Sequence, residues 1–384
     1  MVACTGPKRP APSGVEDPAI PAKGGAARAA SNPATTPIKP RAASEKHESS
    51  YVAALRARVG NGATLTLVPH LQAAAEKAVR ANGKAGAVVA FVPDTGAVLA
   101  LFSVPGERGD PLLVAHQPAS TFKTFTALAG LEAGALTPST EKQCTGKYKF
   151  ADKEFRCAGV HGRETTTDAI VRSCNGFFYD VATEIDHSRI IDMARRFGFG
   201  SRTGIELSDD AGHVADAARV RHIKLDRRSP VPLRDAIGHG EIKVTLLQLA
   251  RAYAAIANGG KLVRLRLTQS QPATNAPLGA IERVKMQPEH LELIRAALID
   301  VVASQDGTVH SFAIEGFPFA AKTGAAEAPL LNGRGEEDDA WCVAYAPPRA
   351  PKILVAARVE RADVSRDAKL AVKQVLEAWR ASTP

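Results

Sequence analysis

Apolar and polar positions alternate in two rhythms along the chain, and the order of those rhythms gives a first picture of the fold. Gly86 to Phe91 and Ala97 to Phe102 are apolar runs of strand length. Pro93-Asp94-Thr95-Gly96 joins them and supplies turn geometry, so the pair reads as a β-hairpin. Just upstream, Thr64 to Leu67 alternates as a short strand would, and Leu71 to Ala81 carries Ala and Leu at helical spacing. A helix is predicted to open at Pro118-Ala119-Ser120, run to about Ala133 and close at Gly134. Lys142 to Gly162 reads as a loop or small ribbon. Helical periods then cover Thr167 to Val171, Phe177 to Ile185, Arg189 to Phe197, Thr245 to Ala257 and His290 to Ala303. Strand-like runs return at Phe317 to Thr323, Ala340 to Ala346 and Ile353 to Glu360, before a last helix from Asp367 to Ala381.

Neither group of strands alone would make a stable sheet, so strands from both ends must meet in one. The helical middle then forms a subdomain beside it. The expected fold class is mixed α/β, of the α+β kind. No internal repeat is visible.

Composition refines this only in places. Residues 1–50 are rich in Pro, Ala, Gly, Ser and Lys, and cannot bury enough surface to offset ordering entropy, which predicts a disordered tether. The ordered domain is expected over 51–384. No apolar run reaches the eighteen or so residues needed to span a bilayer. A formal charge of +9 would suit an anionic partner such as a nucleic acid or an envelope polymer. Only 5% of residues are aromatic and no basic run interleaves with them, which argues against nucleic acid. No cofactor is expected. A glycine pair at Gly198 and Gly200 lacks a preceding strand and a third glycine, so it is no dinucleotide loop. The five cysteines, Cys4, Cys144, Cys157, Cys174 and Cys342, show no zinc-knuckle or CxxC spacing. With no His-Glu-x-x-His and no carboxylate cluster, no metal is expected. Cys144 and Cys157 could close a disulfide in an oxidising compartment or remain thiols. Met-Val-Ala-Cys4-Thr-Gly resembles the end of a lipoprotein signal without its apolar segment, which leaves lipidation at Cys4 and a chance match both open.

Three short motifs could carry chemistry. Ser120-Thr121-Phe122-Lys123 puts a hydroxyl and an amine on one helical face. Serine is a poor nucleophile until a base takes its proton, and lysine is such a base only if burial or a neighbouring cation lowers its pKa. A helix N-terminus also favours developing negative charge. The pattern alone occurs about once by chance in such a chain, and Ser139 to Lys142 is a second copy followed by polar residues. Ser173-Cys174-Asn175 could relay a proton and hold an amide, or be an N-cap pair. Lys322-Thr323-Gly324 ends an apolar strand, with Lys322 and Gly324 on one face and Thr323 on the other, or it is an ordinary strand end. In this order the three match the trio of serine β-lactamases and penicillin-binding proteins.

The chain further resembles the transpeptidase domain of penicillin-binding proteins, over residues 62–384. The likeness lies in Leu65 to Gln72, Gly86 to Val89, Thr95 to Ala100, His161-Gly162, Ser173 to Tyr179, Phe197 to Gly204 and Ala340 to Pro347. It is most specific in Gly238-His239-Gly240-Glu241, which is similar to the class B type. This resemblance implies an antiparallel sheet flanked by helices, and a serine D,D-transpeptidase acting on D-Ala-D-Ala stem peptides and acylated by β-lactams. It implies that Ser120 attacks and Lys123 accepts its proton. Ser173 and Lys322 would protonate the leaving amine, and Asn175 would hold the substrate amide. The N–H groups of Ser120 and Ala325 would form the oxyanion site, with Gly324 leaving room and Thr323 with Lys322 at the carboxylate. Such a protein works in the cell envelope, periplasmic or on the outer face of the cytoplasmic membrane, with room for a membrane glycosyltransferase or a divisome or elongasome partner. Where family members carry a hydroxyl, Ala325 stands. Ala119 and Ala321 replace glycines, and Val104 to His116 is short. A class D-like β-lactamase, resembled by Pro118 to Lys123, and a weakly turning-over sensor are the alternatives.

Overall fold

The computed structural model describes residues 49–60, 62–222, 228–269, 282–329 and 336–383. The expected tether and Cys4 therefore fall outside the described residues, apart from the two at the tether's end. Two helices come first, α1 (Ser50–Val59) and α2 (Pro69–Ala81), then the hairpin strands β1 (Gly86–Phe91) and β2 (Val98–Val104). A 3-10 turn over Ala119–Phe122 leads into α3 (Lys123–Glu132). Four short strands follow, β3 (Glu141–Cys144), β4 (Lys147–Phe150), β5 (Lys153–Arg156) and β6 (Gly162–Thr165). The helical block comprises α4 (Thr166–Val171), α5 (Asn175–Glu184), α6 (His187–Arg196), α7 (Ala217–His222), α8 (Val231–Ala236) and α9 (Leu246–Ala257). After the small pair β7 (Lys261–Leu262) and β8 (Glu282–Arg283) come α10 (Pro288–Ala303), β9 (Ala320–Pro329), β10 (Glu336–Ala346), β11 (Ile353–Val359) and α11 (Asp367–Ser382).

Strands from both ends of the chain do share one sheet. Its order is β2-β1-β11-β10-β9, and every neighbouring pair is antiparallel. All positions of β11 are buried, so both faces of the sheet are covered. Helices α2 and α11 pack together against the sheet, and α9 packs on β1, β10 and β11. Helix α9 is apolar nearly all round, as a helix sunk in a core must be. A reciprocal capping box fixes its start: Gln248 N–H donates to Thr245 Oγ1, and Thr245 N–H donates to Gln248 Oε1.

The helical block packs around α3, whose Lys123 to Leu131 are all buried. Phe125 meets Phe197, Phe199 and Tyr253 edge-on, with ring centroids 4.9 to 5.5 Å apart. This cluster fixes the axis of the helix that carries Lys123.

Two expectations shift. Thr64 to Leu67 forms only an isolated bridge, Leu65 to Thr268. Backbone bonds from Thr66 N–H to the Leu267 carbonyl and from Gln269 N–H to the Thr64 carbonyl, with Thr66 Oγ1 donating to the Val98 carbonyl, tie the segment without a continuous ladder. Strand β9 starts later than the apolar run and continues through Gly324-Ala325-Ala326. Pairing with β10 makes those small residues strand, since β structure depends on partners more than on local preference. Among the described residues no helix is long and apolar enough to cross a membrane.

Candidate active site

Ser120 lies in the 3-10 turn and Lys123 opens α3, so one turn separates them. The chain enters this turn through Ala119 at φ 53°, a left-handed conformation that alanine rarely adopts. Neighbouring backbone holds it there. Ala119 N–H donates to the Gly238 carbonyl at 3.0 Å, and Tyr253 OH donates to the Thr121 carbonyl at 2.7 Å. A Cβ on Gly238 would stand 2.2 Å from the Ala119 oxygen, so only glycine lets that segment come so close. On the other side, a Cβ on Gly324 would lie 3.1 Å from Pro118 O and Ala119 Cβ. The nucleophile turn is thus pressed between Gly238 and the β9 strand.

Ser173 sits between α4 and α5, also left-handed, at φ 58°. Strained backbone at both serine turns is the kind of cost that sites carry when geometry matters more than stability. Lys123 Nζ donates to the Ser173 carbonyl at 2.6 Å, to Ser173 Oγ at 3.3 Å and to Asn175 Oδ1 at 2.5 Å. From the sheet side, Lys322 Nζ donates to Ser173 Oγ at 3.0 Å. One hydroxyl is therefore bracketed by two amines that lie over 190 residues apart in sequence, by the numbering alone.

Both lysines are fully buried. Burial pushes the Lys123 amine down to about 8, and the nearby thiols of Cys157 and Cys174 pull part of that back. Burial and then the Lys123 charge drive Lys322 well below its ordinary value. The repulsion between the two cations falls on Lys322, whereas Lys123 is lowered by burial.

Asn175 is held at both ends, since its Nδ2 donates to the Arg156 carbonyl at 3.0 Å. Thr323 Oγ1 donates to Thr308 Oγ1 at 2.9 Å. Ala325, next along β9, opposes Ala340 of β10. Sequence reasoning missed Thr308, which lies beyond α10 with no motif around it.

It also missed a group of possible metal ligands. Cys144 ends β3, Cys157 follows β5, His161 precedes β6 and Cys174 caps α5, yet their donor atoms all lie within 4.8 Å of one another. His161 Nδ1 is 3.6 Å from Cys144 Sγ and 3.5 Å from Cys157 Sγ, and Cys157 Sγ is 3.8 Å from Cys174 Sγ. Three thiols and an imidazole are the donor set that zinc takes in tetrahedral structural sites. The Cys157 thiol is pulled down to about 3 by its bond with Cys174 and by backbone N–H groups, which favours a thiolate. An open hollow of about 370 Å³ beside Val160, His161, Arg172 and Asp306 gives solvent a way to this side. All four described cysteines are free thiols, so Cys144 and Cys157 are not joined. The expectation of no metal rested on linear spacing, and ribbon folding brings together what spacing keeps apart. The middle residue of the Ser-x-Asn motif, Cys174, is itself one of the four.

A hydroxyl thus stands between two buried amines where the antiparallel sheet meets the helical block. The chain belongs to the penicillin-binding protein transpeptidase domain family, whose profile matches residues 86–378. It is 28% identical to the peptidoglycan D,D-transpeptidase MrdA of Acinetobacter baumannii over 83% of this chain and 54% of that protein. It is 29% identical to the peptidoglycan D,D-transpeptidase PbpA of Mycobacterium tuberculosis over 78% of this chain and 67% of that one. It thus spans only about half the length of MrdA. Among solved structures, Pseudomonas aeruginosa PBP2 in complex with WCK 5153 superposes with a TM-score of 0.72 at 28% identity. That match covers 83% of this chain and 78% of that one.

Proposed function

We propose that this chain is a penicillin-binding serine D,D-transpeptidase that works through an acyl-enzyme on peptidoglycan stem peptides. The observation that carries the reading is Ser173 Oγ bracketed by Lys123 and Lys322, both buried. Lys123, neutral, takes the proton of Ser120 as its oxygen bonds to the carbonyl carbon of the penultimate D-Ala. The N–H groups of Ser120 and Ala325 receive the oxyanion. As the C–N bond breaks, Ser173 gives its proton to the departing D-Ala amine and regains one from the adjacent lysines. An acceptor amine then attacks the ester and frees Ser120. Asn175 holds the substrate amide. Lys322 and Thr323 meet the terminal carboxylate, and Gly324 keeps the strand edge clear. A β-lactam enters by the same first step, but its leaving nitrogen stays tethered.

In the same reading, Cys144, Cys157, His161 and Cys174 hold a zinc-type cation whose part is structural, fastening the turn that presents Ser173 and Asn175. The protein works outside the cytoplasm at the cell envelope. One solved relative, 28% identical over 84% of this chain, is a peptidoglycan synthase complex with structural coordination of polymerization and crosslinking. That supports a polymerising glycosyltransferase as the partner class.

A fluorescent penicillin tests the reading. It should label the protein covalently, and Ser120→Ala should abolish labelling. Intact mass should show a long-lived adduct. Rapid loss of the adduct would indicate a β-lactamase instead, and labelling that survives Ser120→Ala would overturn the nucleophile.

A further inference from the structure

Ser120 depends on its predecessor for its place. Ala119 stays at φ 53° only while something outside the turn holds it there. The Gly238 carbonyl is that hold, accepting from Ala119 N–H at 3.0 Å. Gln117 adds a second, its side-chain amide donating to the Gly240 carbonyl at 2.9 Å and to the His239 carbonyl at 3.3 Å. The nucleophile turn therefore rests on the loop from Gly238 to Gly240. Whatever fixes that loop also fixes where Ser120 Oγ points.

Asp235 fixes it. Its carboxylate is buried near the end of α8, and Oδ1 accepts from Glu241 N–H at 2.7 Å and from Ile242 N–H at 3.4 Å. A Cβ on Gly240 would stand 2.0 Å from that same oxygen, so loop and carboxylate are packed together with no slack. Gly238 N–H also donates to the Asp235 carbonyl at 3.0 Å. The other carboxylate oxygen, Oδ2, meets His187 Nε2 at 2.8 Å. A carboxylate only accepts, so that ring nitrogen carries the hydrogen. His187 opens α6, a separate element of the helical block, and its Nδ1 is buried with no hydrogen-bond partner among the described residues. The polar contact of the ring is therefore with Asp235. It locks the rotation of the carboxylate that the two loop amides need.

We propose that His187 is a positioning residue for acyl transfer: through Asp235 and the Gly238 loop it holds Ala119 in the left-handed conformation that presents Ser120. The inference rests on the transpeptidase reading and deepens it. His187 itself touches neither the nucleophile nor a substrate. Without its N–H the carboxylate turns, the loop amides loosen and Ala119 relaxes, taking the Ser120 hydroxyl and N–H with it. A displacement of about 1 Å at a reacting group costs about 10²-fold in rate. The β9–β10 ladder takes no part in these contacts, so the loss falls on the acylation step and spares initial binding.

Saturation kinetics of benzylpenicillin acylation separate initial binding from the maximal acylation rate. His187→Leu keeps bulk and removes the donor. His187→Gln places an amide N–H near the position of Nε2, whereas His187→Asn is too short to reach Asp235. In the Leu variant the maximal rate should fall about 10- to 100-fold, with the initial dissociation constant within about twofold of the parent. In the Gln variant the maximal rate should stay within about threefold of the parent. Urea denaturation of each variant registers any loss of stability alongside. A Leu variant that is less stable but acylates at the parent's maximal rate would overturn the proposal. So would a loss confined to initial binding, or a Gln variant as slow as Leu. If the Leu variant fails to fold, the Asn variant takes its place. A fall of about tenfold or more in Asn, with Gln holding, supports the proposal, and equal rates in the two overturn it. A parent protein that benzylpenicillin does not acylate would remove the transpeptidase reading itself, a different outcome from an unchanged maximal rate.

Discussion

Lys322 and Lys123 are both buried amines that donate to Ser173 Oγ, but the regions that hold them differ. Lys322 stands on β9, in register with Val343 of β10, so a continuous backbone ladder places it. The ladder is further tied by an ion cluster. Asp339 of β10 accepts from Arg108 Nη1 at 3.1 Å and from Arg358 Nη2 at 2.7 Å, and Glu360 accepts from Arg358 at 3.0 Å. Opposite, Ser173 and Asn175 sit at a left-handed turn between two helices, with short ribbons beside them. No strand ladder fixes that turn. Asn175 N–H donates to Cys157 Sγ at 3.1 Å, and Cys174 Sγ accepts from Phe177 N–H at 3.4 Å. One wall of the cleft is therefore held by a strand ladder, and the other by turn hydrogen bonds such as Cys174 N–H to the Ala169 carbonyl together with side chains, four of which have a metal's donor set.

The sharpest test of this contrast after loss of Ser120 itself is the base. Replacing Lys123 with Met keeps length and removes the amine, and should lower penicillin acylation by about 10²- to 10⁴-fold. In the parent protein the sign of the pH dependence follows from the amine. Lys123 acts only when unprotonated, and its pKa lies near 8. Acylation should rise about tenfold per pH unit below that value and level off above it. A rate flat from pH 6 to 9 in stopped-flow labelling would show that Lys123 is not the proton acceptor.

Asp339→Asn attacks the backbone-built wall. Burial alone would raise this carboxyl, but Arg358 and Arg108 outweigh it and hold the group below its ordinary value. Neutralising it leaves Arg358 buried beside Glu360 alone, at a cost of about 3–5 kcal/mol to global stability. Urea denaturation should show that loss equally with and without a chelator, since the ladder is independent of the thiol cluster. A loss below about 1 kcal/mol would mean that the sheet does not depend on the cluster.

Cys157→Ser attacks the other wall. Metal content by mass spectrometry should be about one zinc-type ion per parent protein, and affinity in the variant should fall by more than the roughly 10- to 100-fold that loss of an outer-shell partner costs. Cobalt substitution should give a thiolate charge-transfer band that the variant loses. Acylation should fall with metal loss while Lys322's strand stays ordered. A metal-free parent protein with full acylation would reduce the cysteines to packing.

The same contrast explains which parts were legible in the amino-acid order. The hairpin Gly86 to Phe102, the strand bearing Lys322 and the helix bearing Lys123 are local patterns, and each motif residue lies where its own element puts it. The prediction that strands from both ends share one sheet needed only the rule that two or three strands do not stand alone. The thiol wall was opaque because Cys144, Cys157 and Cys174 come from a strand, a loop and a cap whose meeting depends on how short ribbons fold. Thr308 was opaque for a related reason. Its place beside Thr323 comes from what faces it, and facing partners leave no spacing to read.

The smallest expected effect lies at the end of the backbone-built wall. Ala325 supplies an N–H and a carbonyl but no hydroxyl, so in the proposed reading Thr323 and Lys322 are left to meet a substrate carboxylate. Thr323 already donates to Thr308, and Lys322 to Ser173 and to the Thr323 carbonyl at 3.1 Å, so the wall is short of free donors. Ala325→Thr adds one hydroxyl at a half-buried position without altering the ladder to Ala340. Hydrogen bonds to charged groups are worth more than neutral ones, but water competes here, so the gain should be about two- to tenfold. It should appear as tighter initial binding of penicillin, with the maximal acylation rate unchanged, because the hydroxyl touches the carboxylate and not the reacting carbonyl. A change in the maximal rate instead would place Ala325's side chain nearer the oxyanion than the sheet register puts it.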